Sequence, residues 1–179
     1  MQFIDLKAQY AALKDEIDAN MQEVLNDAAF IGGKYVRELE IQLTAFTGRK
    51  HCITCANGTD ALQLAFMALG VGEGDAVFAP DMTFISSTEP AAMFGAVSVF
   101  CDITPDTYNL DPASLERQIK AVLAEGKYTP KAVVAVDILG NPCDYEAISA
   151  VCEQYGLALI EDAAQSFGAE YHRKKAGSF

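Results

Sequence analysis

From residue 51 onward the chain alternates short apolar runs with segments of helical periodicity, and this alternation restricts the fold more than any other feature. The candidate strands are His51–Cys55, Ala76–Ala79, Ala96–Phe100, Ala132–Asp137 and Leu157–Ile160. Helical patterns lie between them at Thr59–Leu69, around Ser87–Phe94, at Pro112–Leu123 and at Tyr145–Tyr155. A strand that returns through a helix to a parallel neighbour is the βαβ unit, so the chain reads as α/β with a mostly parallel sheet. Local punctuation agrees. Asp111 precedes a first-turn Pro112, and Gly126 follows that helix; Asp144 and Gly156 frame the next. Pro90 fits inside a helix if Ser86 or Ser87 is the N-cap, because a first-turn N–H has no helical acceptor to lose.

Before residue 51 the pattern is helical only. Leu6, Tyr10, Leu13, Ile17, Met21 and Val24 recur in steps of three and four, and Phe30-Ile31-Gly32-Gly33 ends the run. A second helix carries Val36, Leu39, Leu43 and Phe46 on one face and stops at Gly48. The expected division is an arm or leading helix over residues 1–33 and one domain over 34–179.

Composition narrows the function. A chain of 179 residues is long enough for a proper core, burying roughly 70% of its unfolded surface. A net charge of −12 lacks the basic footprint that nucleic acid or an anionic membrane requires. No apolar run approaches the roughly 18 residues of a membrane span, and Met1-Gln2-Phe3-Ile4-Asp5-Leu6 lacks a signal-peptide pattern. A cytoplasmic protein is expected. Of the five cysteines, Cys52 and Cys55 form a C-x-x-C on a candidate strand. Residues three apart on a strand face opposite ways, and no second pair completes a zinc site, so all five read as buried thiols and no metal is expected.

Ligands of open α/β sheets bind beyond the carboxyl ends of the strands, and three clusters fall there. Ala56-Asn57-Gly58-Thr59-Asp60 opens a helix; Gly58 permits close approach and Thr59 offers a hydroxyl and an N–H. It reads as a one-phosphate site or as a capped helix start with nothing bound. Gly70-Val71-Gly72-Glu73-Gly74 resembles a dinucleotide motif but follows a helix, so it reads as a turn. In Pro80-Asp81-Met82-Thr83-Phe84, the phenylalanine either stacks on a planar ring or joins the core. In Glu161-Asp162-Ala163-Ala164-Gln165-Ser166, an apolar strand delivers two carboxylates. Asp162 facing a protonated pyridine nitrogen makes a charge-assisted bond of roughly 1.5–3 kcal/mol. Glu161 reads as a solvated or structural neighbour, and a shared Mg²⁺ is the weaker idea. Together the clusters describe a phosphate cradle, a stacking plane and an anionic partner for a ring nitrogen, three contacts that pyridoxal 5'-phosphate (PLP) demands.

These motifs occur in an order that resembles the DegT/StrS sugar aminotransferases among the fold-type I PLP enzymes. The likeness runs through Phe3-Ile4-Asp5-Leu6, Phe30-Ile31-Gly32-Gly33, Asn57-Gly58-Thr59-Asp60-Ala61-Leu62, Gly72-Glu73-Gly74-Asp75, Thr83-Phe84, Gly140-Asn141-Pro142 and Glu161-Asp162-Ala163-Ala164-Gln165-Ser166. The resemblance implies a three-layer α/β/α, part of the large PLP-binding domain of such enzymes, with their small C-terminal domain absent from residues 1–179. It implies that Gly58 and Thr59 hold the cofactor phosphate and Phe84 stacks on the ring. Asp162 would pair with the ring nitrogen and Gln165 with the ring hydroxyl oxygen. The Schiff-base lysine is expected beyond Phe179, since Lys174 and Lys175 read as surface residues of a charged turn; no catalytic residue is then expected within the chain. The implied reaction moves an amino group from an amino-acid donor, glutamate, to a nucleotide-linked keto-sugar, for cell-surface polysaccharide or secondary-metabolite sugars, in a homodimer whose partner completes the site. The alternatives are a sugar dehydratase of the same family, with histidine in place of the lysine, and a non-catalytic binding or regulatory protein.

Overall fold

Val-rich runs bounded by turn residues form the strands of the computed structural model, which describes residues 4–179; Phe3 of the opening motif lies outside them. Strands β1 (Asp75–Pro80), β2 (Val97–Cys101), β3 (Thr129–Val136) and β4 (Ala158–Asp162) make one parallel sheet in the order β2-β1-β3-β4. In the central pair, β1 is buried from Ala76 onward and β3 from Ala132 to Val136, as strands covered on both faces must be.

The covering helices come from the segments between the strands. On one face α3 (Gly58–Leu69) and α4 (Glu89–Met93) bring Leu62, Phe66 and Ala91 against Val77, Ala79, Val134 and Val136. On the other, α5 (Pro112–Glu125) and α6 (Tyr145–Tyr155) bring Leu115, Ile119, Ile148 and Cys152 against Ala76, Phe78, Val133 and Ala135. The period-two alternation of each strand sends neighbouring residues to opposite cores, and the three-layer α/β/α expected from the sequence results. Phe66 and Phe78 are fully buried, each worth about 1.5–3 kcal/mol of transfer free energy.

Caps fix the helix ends as read from the sequence. Asp111 accepts from the N–H groups of Ala113 and Ser114 at 2.9 and 3.2 Å, and Asp144 accepts from Ala147 at 3.1 Å. Gly126 and Gly156 close α5 and α6 at φ 67° and 69°, in the left-handed region that glycine enters without a Cβ clash. A short hairpin follows the sheet: β5 (Glu170–Tyr171) pairs antiparallel with β6 (Lys174–Lys175), and the loop residues His172 and Arg173 both have positive φ, 49° and 67°.

Four local expectations are corrected. His51–Cys55 is not a strand: among the described residues nothing pairs with it, and the Thr54 N–H and hydroxyl donate instead to Glu40 Oε1 at 3.0 and 2.9 Å. Lacking a ladder, the segment leaves Cys55 exposed and Cys52 half-buried, so only Cys101, Cys143 and Cys152 are buried thiols. The N-cap of α4 is Thr88, because the Ser86 and Ser87 hydroxyls turn to Thr59 and Thr83 and cap nothing. Lys174 is exposed, but Lys175 is half-buried, paired with Glu170 at 2.6 Å, its ammonium 5.3 Å from the Phe46 ring centre.

The chain divides into two compact units, one comprising residues up to Ala45 with Lys50–Thr54, the other Phe46–Arg49 with Cys55–Phe179. The Glu40–Thr54 bonds account for the inclusion of Lys50–Thr54 in the first unit. It holds α1 (Leu6–Asp27) and most of α2 (Lys34–Thr47). Lys34 bridges back to Glu23 and Asp27 at 3.2 and 2.8 Å. No residue of α1 is buried.

Candidate active site

The β1 crossover runs one way along the sheet and the β3 crossover the other, so the carboxyl ends of β1 and β3 part and leave a crevice. A cavity of about 300 Å³ opens there, at the lower end of the roughly 300–1,000 Å³ of small-molecule sites. All five residues singled out in the sequence line it: Gly58 and Thr59 from the start of α3, Phe84 after β1, and Asp162 and Gln165 at the end of β4. Leu62, Val136 and Ile138 supply apolar wall.

Asn57 caps α3 by accepting from Asp60 N–H at 2.9 Å. The first-turn N–H groups of Gly58 and Thr59 have no acceptor within the helix. No atom lies within 4 Å of where a Gly58 Cβ would be, so the space over this turn is open. Thr59 Oγ1 lies 2.6 Å from Ser86 Oγ. Phe84 is 71% exposed, and its ring packs in neither sheet core.

Asp162 is half-buried; its Oδ1 accepts from Ala164 N–H at 3.1 Å, and among the described residues Oδ2 has no partner. Gln165 Oε1 accepts from Leu139 N–H at 2.7 Å, leaving Nε2 as the group free to donate. Glu161 is a structural neighbour facing away from Asp162, since successive strand residues point to opposite sides. It accepts from Gly177 and Phe179 N–H at 2.5 and 2.7 Å. Burial raises its pKa above the usual carboxylate value, against the pull of those two N–H groups. Facing opposite sides of the sheet, Glu161 and Asp162 do not present their carboxylates to one common point.

Behind the cavity sits a group that sequence reasoning missed. Asp137, fully buried after β3, accepts from Cys143 N–H at 2.9 Å and Tyr145 Oη at 2.6 Å through Oδ1, and from Ser166 Oγ at 2.7 Å through Oδ2. Its own N–H donates to Asp162 C=O at 3.1 Å. Burial pushes the Tyr145 hydroxyl pKa well up, so it stays protonated and donates. Asp137 thus ties β3, the start of α6 and the Asp162 loop together. The available signal was a carboxylate ending the apolar run Ala132–Val136, the same pattern that marks Asp162. Ser86 was missed as cavity lining because its neighbours suggested a cap.

A dianion needs donors, a flat aromatic ring needs a stacking plane, and a protonated ring nitrogen needs a carboxylate with a free oxygen. The cavity offers each, so its residues fit PLP. Fold and cavity define a doubly wound α/β domain of the PLP-enzyme type. The chain belongs to the DegT/DnrJ/EryC1/StrS aminotransferase family, whose profile matches residues 11–179. It is 49% identical over 98% of its length to the UDP-2-acetamido-2-deoxy-3-oxo-D-glucuronate aminotransferase of Pseudomonas aeruginosa, covering 47% of that protein. It is 42% identical to a pleiotropic regulatory protein of Geobacillus stearothermophilus, over 97% of the chain and 45% of that protein. A DegT/DnrJ/EryC1/StrS aminotransferase crystal structure from Brucella abortus superposes with a TM-score of 0.97 at 44% identity, over 100% of this chain and 48% of that one. The chain spans about half the length of the curated relatives it matches. Among the described residues no helix is long and apolar enough to cross a membrane.

Proposed function

We propose that the protein carrying this chain is a PLP-dependent aminotransferase that moves an amino group from glutamate to a nucleotide-linked keto-sugar. The observation that supports it is the convergence of Gly58, Thr59, Phe84, Asp162 and Gln165 on one cavity at the strand carboxyl ends. In this reading the Gly58 and Thr59 N–H groups and the Thr59 hydroxyl grip the cofactor phosphate, with the positive end of α3 behind them. Phe84 covers one face of the ring. Gln165 Nε2 donates to the ring hydroxyl oxygen, and Asp162 Oδ2 holds a proton at the ring nitrogen. Bound PLP supplies an electron sink for the carbanion left when the donor or product carbon loses a proton. Asp162 sustains that sink by keeping the nitrogen protonated.

The same reading places the Schiff-base lysine and a small C-terminal domain beyond Phe179, with residues 1–33 as an arm and 34–179 as part of the large domain. It makes the protein a cytoplasmic homodimer. Asp162→Ala should abolish amine transfer from glutamate, and Asp162→Glu should retain some. The acceptor to try first is the UDP-linked 3-oxo uronate for which the Pseudomonas relative is named. Wild-type turnover in the alanine variant would refute the ring-nitrogen role. A regulatory reading draws on the Geobacillus relative; a lysine in the codons downstream of Phe179, together with turnover, decides against it.

A further inference from the structure

The 3-10 turn Ile85–Ser87 after β1 carries two adjacent buried hydroxyls that point to different partners. Ser87 Oγ meets Thr83 Oγ1 at 2.8 Å, within its own loop. Ser86 Oγ instead reaches across to Thr59 Oγ1, 2.6 Å away on the first turn of α3. Ser86 is 6% exposed, and among the described residues Thr59 is its only side-chain hydrogen-bond partner.

The Ser86–Thr59 pair holds two hydroxyl protons and shares one hydrogen bond. If Thr59 donates, the proton of Ser86, which also lines the cavity but is only 6% exposed, has no protein acceptor among the described residues, which is costly for a nearly buried donor. If Ser86 donates, the Thr59 proton stays on the half-exposed side, where Thr59 lines the cavity beside the open space over Gly58. The second arrangement pairs the more buried proton and leaves the more exposed one to the cavity. A phosphate dianion accepts hydrogen bonds and donates none, so Thr59 is useful to it only as a donor.

We infer that Ser86 is a positioning residue for the phosphate grip: by donating to Thr59 Oγ1 it turns the Thr59 proton toward the bound phosphate. This rests on the cofactor reading above. Ser86 acts on the phosphate through Thr59, so its effect should depend on both groups being present.

The probes are pyridoxamine 5'-phosphate and pyridoxamine, which differ only in the phosphate and need no lysine to bind. Affinities are read by calorimetry in the purified protein. Wild type should prefer the phosphorylated compound, and Ser86→Ala should weaken it roughly five- to tenfold, the scale of one hydrogen bond between neutral groups, with pyridoxamine unchanged. Ser86→Cys, closer in size and a weaker donor, should fall between and serves if the alanine variant does not fold. Ser87→Ala should leave both affinities alone. In a Thr59→Val background the Ser86→Ala effect should vanish. An unchanged preference in Ser86→Ala and Ser86→Cys overturns the positioning role, and an effect that persists in full without the Thr59 hydroxyl replaces it with direct contact. A wild-type protein that does not distinguish the two probes overturns the cofactor reading itself.

Discussion

Asp137 shows what one side chain can hold together. Replacing it with leucine strands the Tyr145 hydroxyl and the Cys143 N–H and leaves Ser166 Oγ only its long 3.5 Å bond to Ala163 C=O, at about 1–3 kcal/mol for each buried group left unpaired. Asp137→Asn keeps one acceptor and should lose less; urea unfolding of the two variants measures the difference. Glu161 gives a pH signature. Its pKa is raised in the folded state, so between the ordinary carboxylate value and the raised one the folded chain binds more protons than the unfolded chain. Stability from this group therefore falls as pH rises through that window and recovers as pH falls. Glu161→Gln removes the dependence, so the stability of wild type relative to this variant should decline from acidic toward neutral pH in paired denaturation curves. A flat difference would mean that burial does not shift the group. At this scale the sequence was legible where polarity interrupted an apolar run, as at Asp162. It was silent on Ser86, whose partner lies 27 positions away in the chain.

Secondary structure was legible wherever the decisive bonds are local. The caps of α5 and α6 use side chains within three residues of the N–H groups they satisfy, and the motif around Asp111 names them. Asp111→Ala should cost about 0.5–2 kcal/mol, seen as an earlier unfolding midpoint without a change in the slope of the transition. Strand formation is different, because the partner that makes the ladder is remote. His51–Cys55 has the composition of a strand and, among the described residues, no neighbour to pair with, whereas Ala132–Val136 has one on each side. Of the serine caps expected for α4, Ser86 failed for the same reason, its hydroxyl engaged by remote Thr59, whereas the Ser87 hydroxyl is engaged by Thr83 of its own loop.

For the whole molecule, the two faces of the sheet predict a pattern of chemical access. Burial pushes the Cys101 thiol up to about 12 and the Cys152 thiol up to about 11, and raises Cys143 further still. A buried thiol that stays protonated reacts slowly, since the thiolate is the nucleophile. Native protein treated with iodoacetamide at mildly alkaline pH should be labelled first at Cys55, then at Cys52, with the other three protected until unfolding; peptide mass mapping reads the order. Labelling of Cys101 as fast as Cys55 would show the sheet core to be open. Sequence alone assigns all five thiols to the interior, and the difference lies entirely in the unpaired segment that carries Cys52 and Cys55.

The hairpin loop His172-Arg173 is a place where sequence and backbone disagree. Two-residue loops with both residues left-handed are the geometry that Asn-Gly adopts with little strain. Ordinary L-residues lose roughly 1–2 kcal/mol apiece there. The ring of His172, stacked on Tyr171 with centroids 4.2 Å apart, returns part of that loss. The loop is thus a pocket of local frustration in a chain whose caps and cores otherwise agree with their sequence, and it holds stability that two substitutions could release. Exchanging the pair for Asn-Gly should raise the thermal midpoint and leave cofactor affinity untouched. A lower midpoint would mean that the histidine stack outweighs the strain, and that selection has already settled the matter in favour of the ring.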